Sequence, residues 1–297
     1  MNDPEVVSRR ALEGKRVALS ASESADLGRL GLSEYHCRLV IAEVGRALML
    51  AGATVVYGGN LSADGYTDIL LEEAQRFGGN DQVLELTIPE SEYTQYSGPE
   101  LNEIDARLGE HGKLLLVRSD SVLERVRGQN PRPADQVNPA EALSAMRAYV
   151  SLHSDARILV GGKLANYQGS LPGVIEEAIL TAEAGKALLV AGGFGGAAAA
   201  ISNALDLATS NAWQPTNFPE GENDEIVTEA LHRLRTAGPD LLRRDEESER
   251  LLNVLAVSHR PADISSSVVR LLAENLERPS EYRNRTQQGD NGPSRAS

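Results

Sequence analysis

Along this chain, short apolar runs that end in glycine alternate with longer stretches whose apolar residues return every three to four positions. The first run is Arg16-Val17-Ala18-Leu19-Ser20, followed by a loop bearing Gly and Ser. Residues 33–51 then read as a helix, with Ser33 placed to cap it and Val40, Val44, Ala47, Leu48 and Ala51 on one face. Gly52 ends it, and a β-branched strand over 54–57 closes on Gly58-Gly59. A helix over 67–77 and a strand over 83–88 come next, whereas the polar stretch 89–112 assigns no element. A buried strand over 114–117 leads through a short helix into a Pro-punctuated loop, 128–139. The series resumes with a helix over 139–151, a strand over 157–160, a helix over 173–184 and a strand over 187–190. That strand closes on Gly192-Gly193-Phe194-Gly195-Gly196, and an Ala-rich helix runs on to about Thr209.

Strands fed by helices in this order predict a doubly wound, mainly parallel α/β sheet, and near-continuous apolar strands fit a sheet covered on both faces. Beyond Trp213 the pattern changes to charged amphipathic helices over about 224–236, 246–258 and 262–277, a C-terminal helical extension. The division expected is a flexible N-terminus (1–14), a nucleotide-binding α/β domain (15–210), a helical appendage (211–277) and a disordered tail (278–297) rich in Arg, Asn, Gln and Ser.

Composition narrows the partners. The 297 residues carry 43 acidic and 29 basic side chains, a formal charge of −14, which argues against a broad nucleic-acid footprint. An anionic ligand must therefore be met by a local cluster of cations or backbone amides. One cysteine, Cys37, leaves no disulfide framework and no Cys-based zinc cage, and the five histidines lack metal-ligand spacing. No cofactor or metal is implied. Apolar runs stop short of the ~20 residues that span a bilayer. With no leader-like segment at the start, a cytoplasmic protein away from membranes is expected.

In a parallel sheet ligands gather at the carboxyl ends of strands, which leaves four places. They are Ser20 to Ser22; Gly58-Gly59 with Gly65; Gly161-Gly162-Lys163 running on to Pro172-Gly173; and the Gly192 to Gly196 loop with Gly193 and Phe194. Glycine at a strand end lets backbone amides approach a phosphate, although each pair alone serves equally as a tight turn. Neither G-x-G-x-x-G after the first strand nor a G-x-x-x-x-G-K-[ST] loop is present. Lys163, one of four lysines, is positioned to pair with a phosphate. Pro172-Gly173 opens a helix whose first turn holds Glu176 and Glu177, of which Glu176 lies closer to the buried face and Glu177 remains open. Arg147 sits on the helix before the 157–160 strand, as fit for solvent as for a ligand.

These residues resemble a known superfamily. Gly31-x-x-x-Tyr35, Gly45, Gly52, Val55-Val56-Tyr57-Gly58-Gly59 and Gly65 are similar to the N-terminal half of LOG enzymes, and Pro172-Gly173-x-x-Glu176-Glu177 resembles their P-G-G-x-G-T-x-E-E signature. Together they indicate the SLOG superfamily of LOG, Smf/DprA-like and TRPM-type ligand-sensing domains. The resemblance spans roughly 15–208 and is nearest to the STALD branch of Thoeris antiphage effectors, in which V-G-G-K, a Gly-bearing insert, P-G-x-x-E-E and G-G-F-G-G recur. It implies a Rossmann-like fold and a pocket that senses a ligand of the ADP-ribose or cyclic ADP-ribose class. That pocket is expected to use Arg147, Lys163 and the Glu pair, in a homo-oligomer that signals to a separate effector protein. The LOG likeness implies an alternative, hydrolysis of the N-glycosidic bond of a nucleoside 5′-monophosphate, with Glu176 and Arg147 catalytic. The second Gly of P-G-G and the G-T pair are missing here, so sensing leads.

Overall fold

The computed structural model describes residues 10–59, 61, 65–79, 81–118, 120, 123–125, 137–207 and 222–276. Residues 1–9, most of the 128–139 loop, Trp213 and the 278–297 tail lie outside them. Seven strands form one sheet: β1 (Arg16–Ser22), β2 (Thr54–Gly58), β3 (Leu84–Pro89), β4 (Gly112–Val117), β5 (Leu123–Arg125), β6 (Ala156–Gly161) and β7 (Ala187–Ala191). Their order is β5-β4-β3-β2-β1-β6-β7, all parallel except the short edge strand β5, which runs antiparallel to β4. The expected α/β, Rossmann-like class is what the chain adopts. β5 replaces the short helix expected before the 128–139 loop; it is pinned by pairing with β4, a tertiary constraint that local pattern does not carry.

The chain winds outward from β1 through β4, then returns to lay β6 against the free side of β1. The sheet's direction of winding thus reverses between β1 and β6, which makes that gap the switch point at which open α/β sheets bind ligands.

One face of the sheet carries α1 (Glu34–Leu50), α2 (Tyr66–Phe77) and α4 (Gly98–Leu108), and the other α5 (Pro139–His153), α6 (Gly173–Glu183) and α7 (Gly196–Ala204), with the single-turn α3 (Glu90–Tyr93) against α5. The polar stretch 89–112 therefore does form helix. Its signal is local: Ser97 and Glu100 make a capping box around Pro99 at the start of α4. Of the C-terminal helices, α8 (Glu222–Ala237) packs on α6, whereas α9 (Glu246–Val257) and α10 (Pro261–Leu276) cover β7 and α1. Leu251, Leu255, Val268 and Leu272 join the same core as the strands, so this extension is built into the flanking layers.

Strand alternation sorts the side chains that matter. On β6, Ile158 and Val160 face the α1 layer, and Leu159 faces the α6 layer. Arg157 and, on β1, Ser20 fall on the same face as Leu159, beneath α5 and α6. No helix among the described residues is long and apolar enough to cross a membrane.

Candidate functional site

At the switch point the carboxyl ends of β1 and β6 bound a cavity of about 390 Å³, lined by Glu23, Ser24 and Asp26 from the β1 loop, Gly162, Lys163 and Asn166 after β6, and Gly196. Lys163 stands exposed on this wall. Asp26 is buried, and its Oδ2 accepts a hydrogen bond from the Gly196 N–H (2.7 Å), so a carboxylate already occupies the positive end of α7. Arg29 pairs with its other oxygen at 3.2 Å.

The glycines here are required by packing. Gly161 and Gly162 have φ of 63° and 106°, and a Cβ on Gly161 would lie 2.5 Å from the Ser22 carbonyl. The Gly162 N–H donates to that same Ser22 oxygen, which ties the second expected β1 residue to the turn after β6. Gly58 abuts Met146 and Thr87, Gly59 folds back on the Tyr57 ring, and Gly65 caps α2. Gly193 and Phe194 take no part in the cavity wall. Phe194 is fully buried, and a Cβ on Gly193 would fall 2.1 Å from the Ser258 carbonyl, so this loop is consumed by contact with the end of α9. The loop thus needs glycine for close packing against α9.

Elsewhere on the same sheet face, α5, α6 and β6 bring four charged side chains into one buried chain. Arg147 Nη1 donates to Glu176 Oε2, while Ser144 Oγ donates to Glu176 Oε1 at 2.6 Å. Arg147 Nε lies 3.8 Å from Glu177 Oε1, and the other Glu177 oxygen lies 3.4 Å from Arg157 Nη1. Glu177 is thus not turned away from the sheet, as helix spacing alone suggests. It is the more buried of the pair, because a buried arginine awaits it. Arg157 is 2% exposed and donates to Thr181 Oγ1 (2.8 Å), Ser20 Oγ (2.7 Å) and Ser151 Oγ (3.0 Å). Burial draws the Arg157 guanidinium below its ordinary range; Glu177 opposes that shift and Arg147 adds to it. Gly173 is the close neighbour of Arg147: a Cβ there would sit 2.6 Å from Nη2.

Of the expected residues, the fold brings Ser20, Arg147, Gly173, Glu176 and Glu177 into this cluster, and Gly162 and Lys163 into the cavity wall. The 163–171 insert runs between the two, with Asn166 on the cavity and Gly169 against Arg147. Arg157 was not among the expected residues. Its signal is a lone charge inside the apolar run Ala156-Arg157-Ile158-Leu159-Val160. Burial first, and then Glu34 and Glu23, push the Cys37 thiol up to about 12, which disfavours the thiolate.

A family model described as SLOG cluster2 matches residues 11–231, from the segment before β1 into α8. The chain belongs to the SLOG cluster2 family. Among curated proteins no match is found. The SLOG match covers all seven strands, and with them both the cavity and the buried charge chain.

Proposed function

We propose that this SLOG chain binds a nucleotide-derived small molecule of the ADP-ribose or cyclic ADP-ribose class at the carboxyl edge of its sheet. One observation carries the reading: a cavity at the β1/β6 switch point, within the usual size range of small-molecule sites, shares the 163–171 insert with a buried Arg147–Glu176 pair, Asn166 lying on the cavity and Gly169 against Arg147. A phosphate has two cations to meet, Lys163 on the cavity wall and Arg147 against Gly169 of the same insert. Ribose hydroxyls have carboxylates to donate to, from Glu176 or Glu177. The likeness to the STALD branch supports a sensing role in antiphage defence, in the cytoplasm, as a homo-oligomer acting on a separate effector protein.

Calorimetric titration with ADP-ribose, cyclic ADP-ribose and AMP, followed by chromatography of the recovered ligand, tests this. Saturable heat with intact ligand is expected. Absence of heat with all three ligands would overturn the reading.

A second reading, LOG-like release of a base from a nucleoside 5′-monophosphate, is favoured by the direct contact of Arg147 with Glu176. In that reaction Glu176 would stabilise the oxocarbenium-like centre while Arg147 holds the phosphate. Against it, both Glu176 oxygens are already engaged by Ser144 and Arg147. Multiple-turnover base release in the same experiment would put this reading first.

A further inference from the structure

An arginine inside a parallel sheet needs a reason. β6 lies between β1 and β7, and its remaining side chains are apolar. Removing a guanidinium from water is costly, and a well-packed apolar residue often serves stability as well or better. Arg157 nonetheless spends its donors on three hydroxyls from three different elements: Ser20 of β1, Ser151 of α5 and Thr181 of α6. Such a fork has one orientation, because the guanidinium is planar and its donors are fixed relative to one another. Its one charged partner among the described residues is Glu177, at 3.4 Å. Thr181 Oγ1 in turn donates to the Glu177 carbonyl at 2.7 Å, which ties the same network to the helix backbone that carries Glu177.

Glu177 faces Arg147 on its other side. The facing atom, Arg147 Nε, is buried and makes no hydrogen bond, so its distance from Glu177 is set by where Glu177 is held. Signs alternate along the line Glu176, Arg147, Glu177, Arg157. At the Glu176 end of that line the Arg147 guanidinium lies against the Gly169 and Gly173 turns, on the insert that also borders the cavity.

We infer that Arg157 is a positioning residue: locked by Ser20, Ser151 and Thr181, it fixes Glu177 so that Arg147 is held in place for the anionic group of the ligand. The inference rests on the ligand reading proposed above for Arg147, but part of its test needs no ligand.

The full-length chain is compared with Arg157→Met/Glu177→Gln, which removes both charges and leaves neither ion buried alone. Reaction of Arg147 with phenylglyoxal is followed by peptide mass spectrometry, and ADP-ribose affinity by calorimetry. The double variant is expected to melt near the parent, to react at Arg147 about fivefold faster and to bind ADP-ribose about threefold more weakly, as coupled neighbours do. A folded double variant with parental reactivity at Arg147 would overturn the inference, whatever the ligand does. If the parent itself fails to bind ADP-ribose, the ligand reading falls, and the phenylglyoxal rates alone decide the role of Arg157. Should the double variant not fold, Arg157→Lys takes its place, keeping the charge and losing the fork. About twofold faster modification of Arg147 is then expected, and a parental rate overturns the proposal.

Discussion

The two cations assigned to the ligand sit in opposite environments, so their removal should separate binding from stability. Arg147 is buried, its side chain 10% exposed, against Glu176 at 13% and Glu177 at 11%. Breaking such a pair by deleting one member costs ~3–5 kcal/mol, because the other charge stays buried without compensation. Here Ser144 still donates to Glu176 and Arg157 still faces Glu177, which places Arg147→Ala at the low end, about 3 kcal/mol. At ~2–4 °C per kcal/mol for a chain of this size class, the melting temperature should fall by ~6–12 °C. Lys163 is exposed on the cavity wall, and Lys163→Ala should leave stability within ~0.5 kcal/mol of the parent.

Binding should follow a different order. An anion that reaches Arg147 must displace Glu176, exchanging one carboxylate-type partner for another. Arg147→Ala is therefore expected to lose only about 1 kcal/mol of ADP-ribose affinity, the low end of a charge-assisted bond. Lys163 has no such competitor among the described residues, and Lys163→Ala should lose about tenfold in dilute buffer and much less at ~1 M salt, where exposed charges are screened. Urea melts and calorimetry at two salt concentrations read all four quantities. If Arg147→Ala melts with the parent, or if Lys163→Ala unfolds earlier, the buried-versus-exposed argument is wrong.

Four further outcomes follow from the same geometry. Glu176→Gln frees Arg147 from its partner, so inorganic phosphate should bind about fivefold more tightly, and any base release should disappear; weaker phosphate binding by calorimetry would contradict this. Burial pushes the Glu85 carboxyl up, but hydrogen bonds from Arg16 (2.5 and 2.8 Å) and contact with Lys113 (2.7 Å) more than reverse the shift and hold it below the ordinary carboxylate range. A depressed carboxyl stabilises the fold above its unfolded pKa and loses that contribution as pH falls through the folded value; the gap between parent and Glu85→Gln in urea midpoints should therefore narrow on acidification below about pH 4. Gly193→Ala drives a methyl group onto the Ser258 carbonyl and should cost ~1–3 kcal/mol with ADP-ribose affinity unchanged, an affinity loss being the contrary result. Leu152, 61% exposed, and Ala148 leave part of the α5 surface uncovered among the described residues, so a two-fold dimer through α5 is expected; monomer mass in light scattering at micromolar concentration, with and without ADP-ribose, would exclude it.

How legible all this was depends on the range of the interactions involved. Six parallel strands can be read from the chain because each is a short apolar run bounded by its own punctuation, Gly52 before β2 and Gly58-Gly59 after it. β5 cannot: Leu123-Glu124-Arg125 has no apolar pattern, and only the partner β4 makes it a strand. Helix α4 was legible in principle, through Ser97, Pro99 and Glu100, but its polar composition hides those caps unless the spacing is checked first. Glycine was legible as a requirement and not as a cause. Gly193 yields to Ser258 and Gly161 to the Ser22 carbonyl, contacts formed by chain 65 and 139 positions away.

The charge chain shows the same limit most sharply, and its logic also explains where a ligand has room. Periodicity puts Glu177 away from the apolar stripe of α6, since helix spacing knows nothing of the strand beneath. Arg157 on β6 reverses that placement. Once Glu177 is drawn inward, Arg147 is flanked by two carboxylates and its guanidinium is nearly neutralised within the fold. The first α7 amides are likewise taken, Gly196 N–H by Asp26 and Ala197 N–H by the Gly162 carbonyl. A chain with a net charge of −14 thus keeps its strongest anion-binding groups internally satisfied, and leaves Lys163 as the exposed cation on the cavity wall. Binding in such a site is an exchange of partners, in which the incoming phosphate is worth only its advantage over a carboxylate already in place. Selectivity then falls to ligands that replace both halves of a displaced pair, offering a phosphate to Arg147 and hydroxyl donors to Glu176. A bare anion satisfies the first and leaves the second buried without a partner, which is the physical ground for expecting a ribosyl phosphate to outcompete inorganic phosphate here.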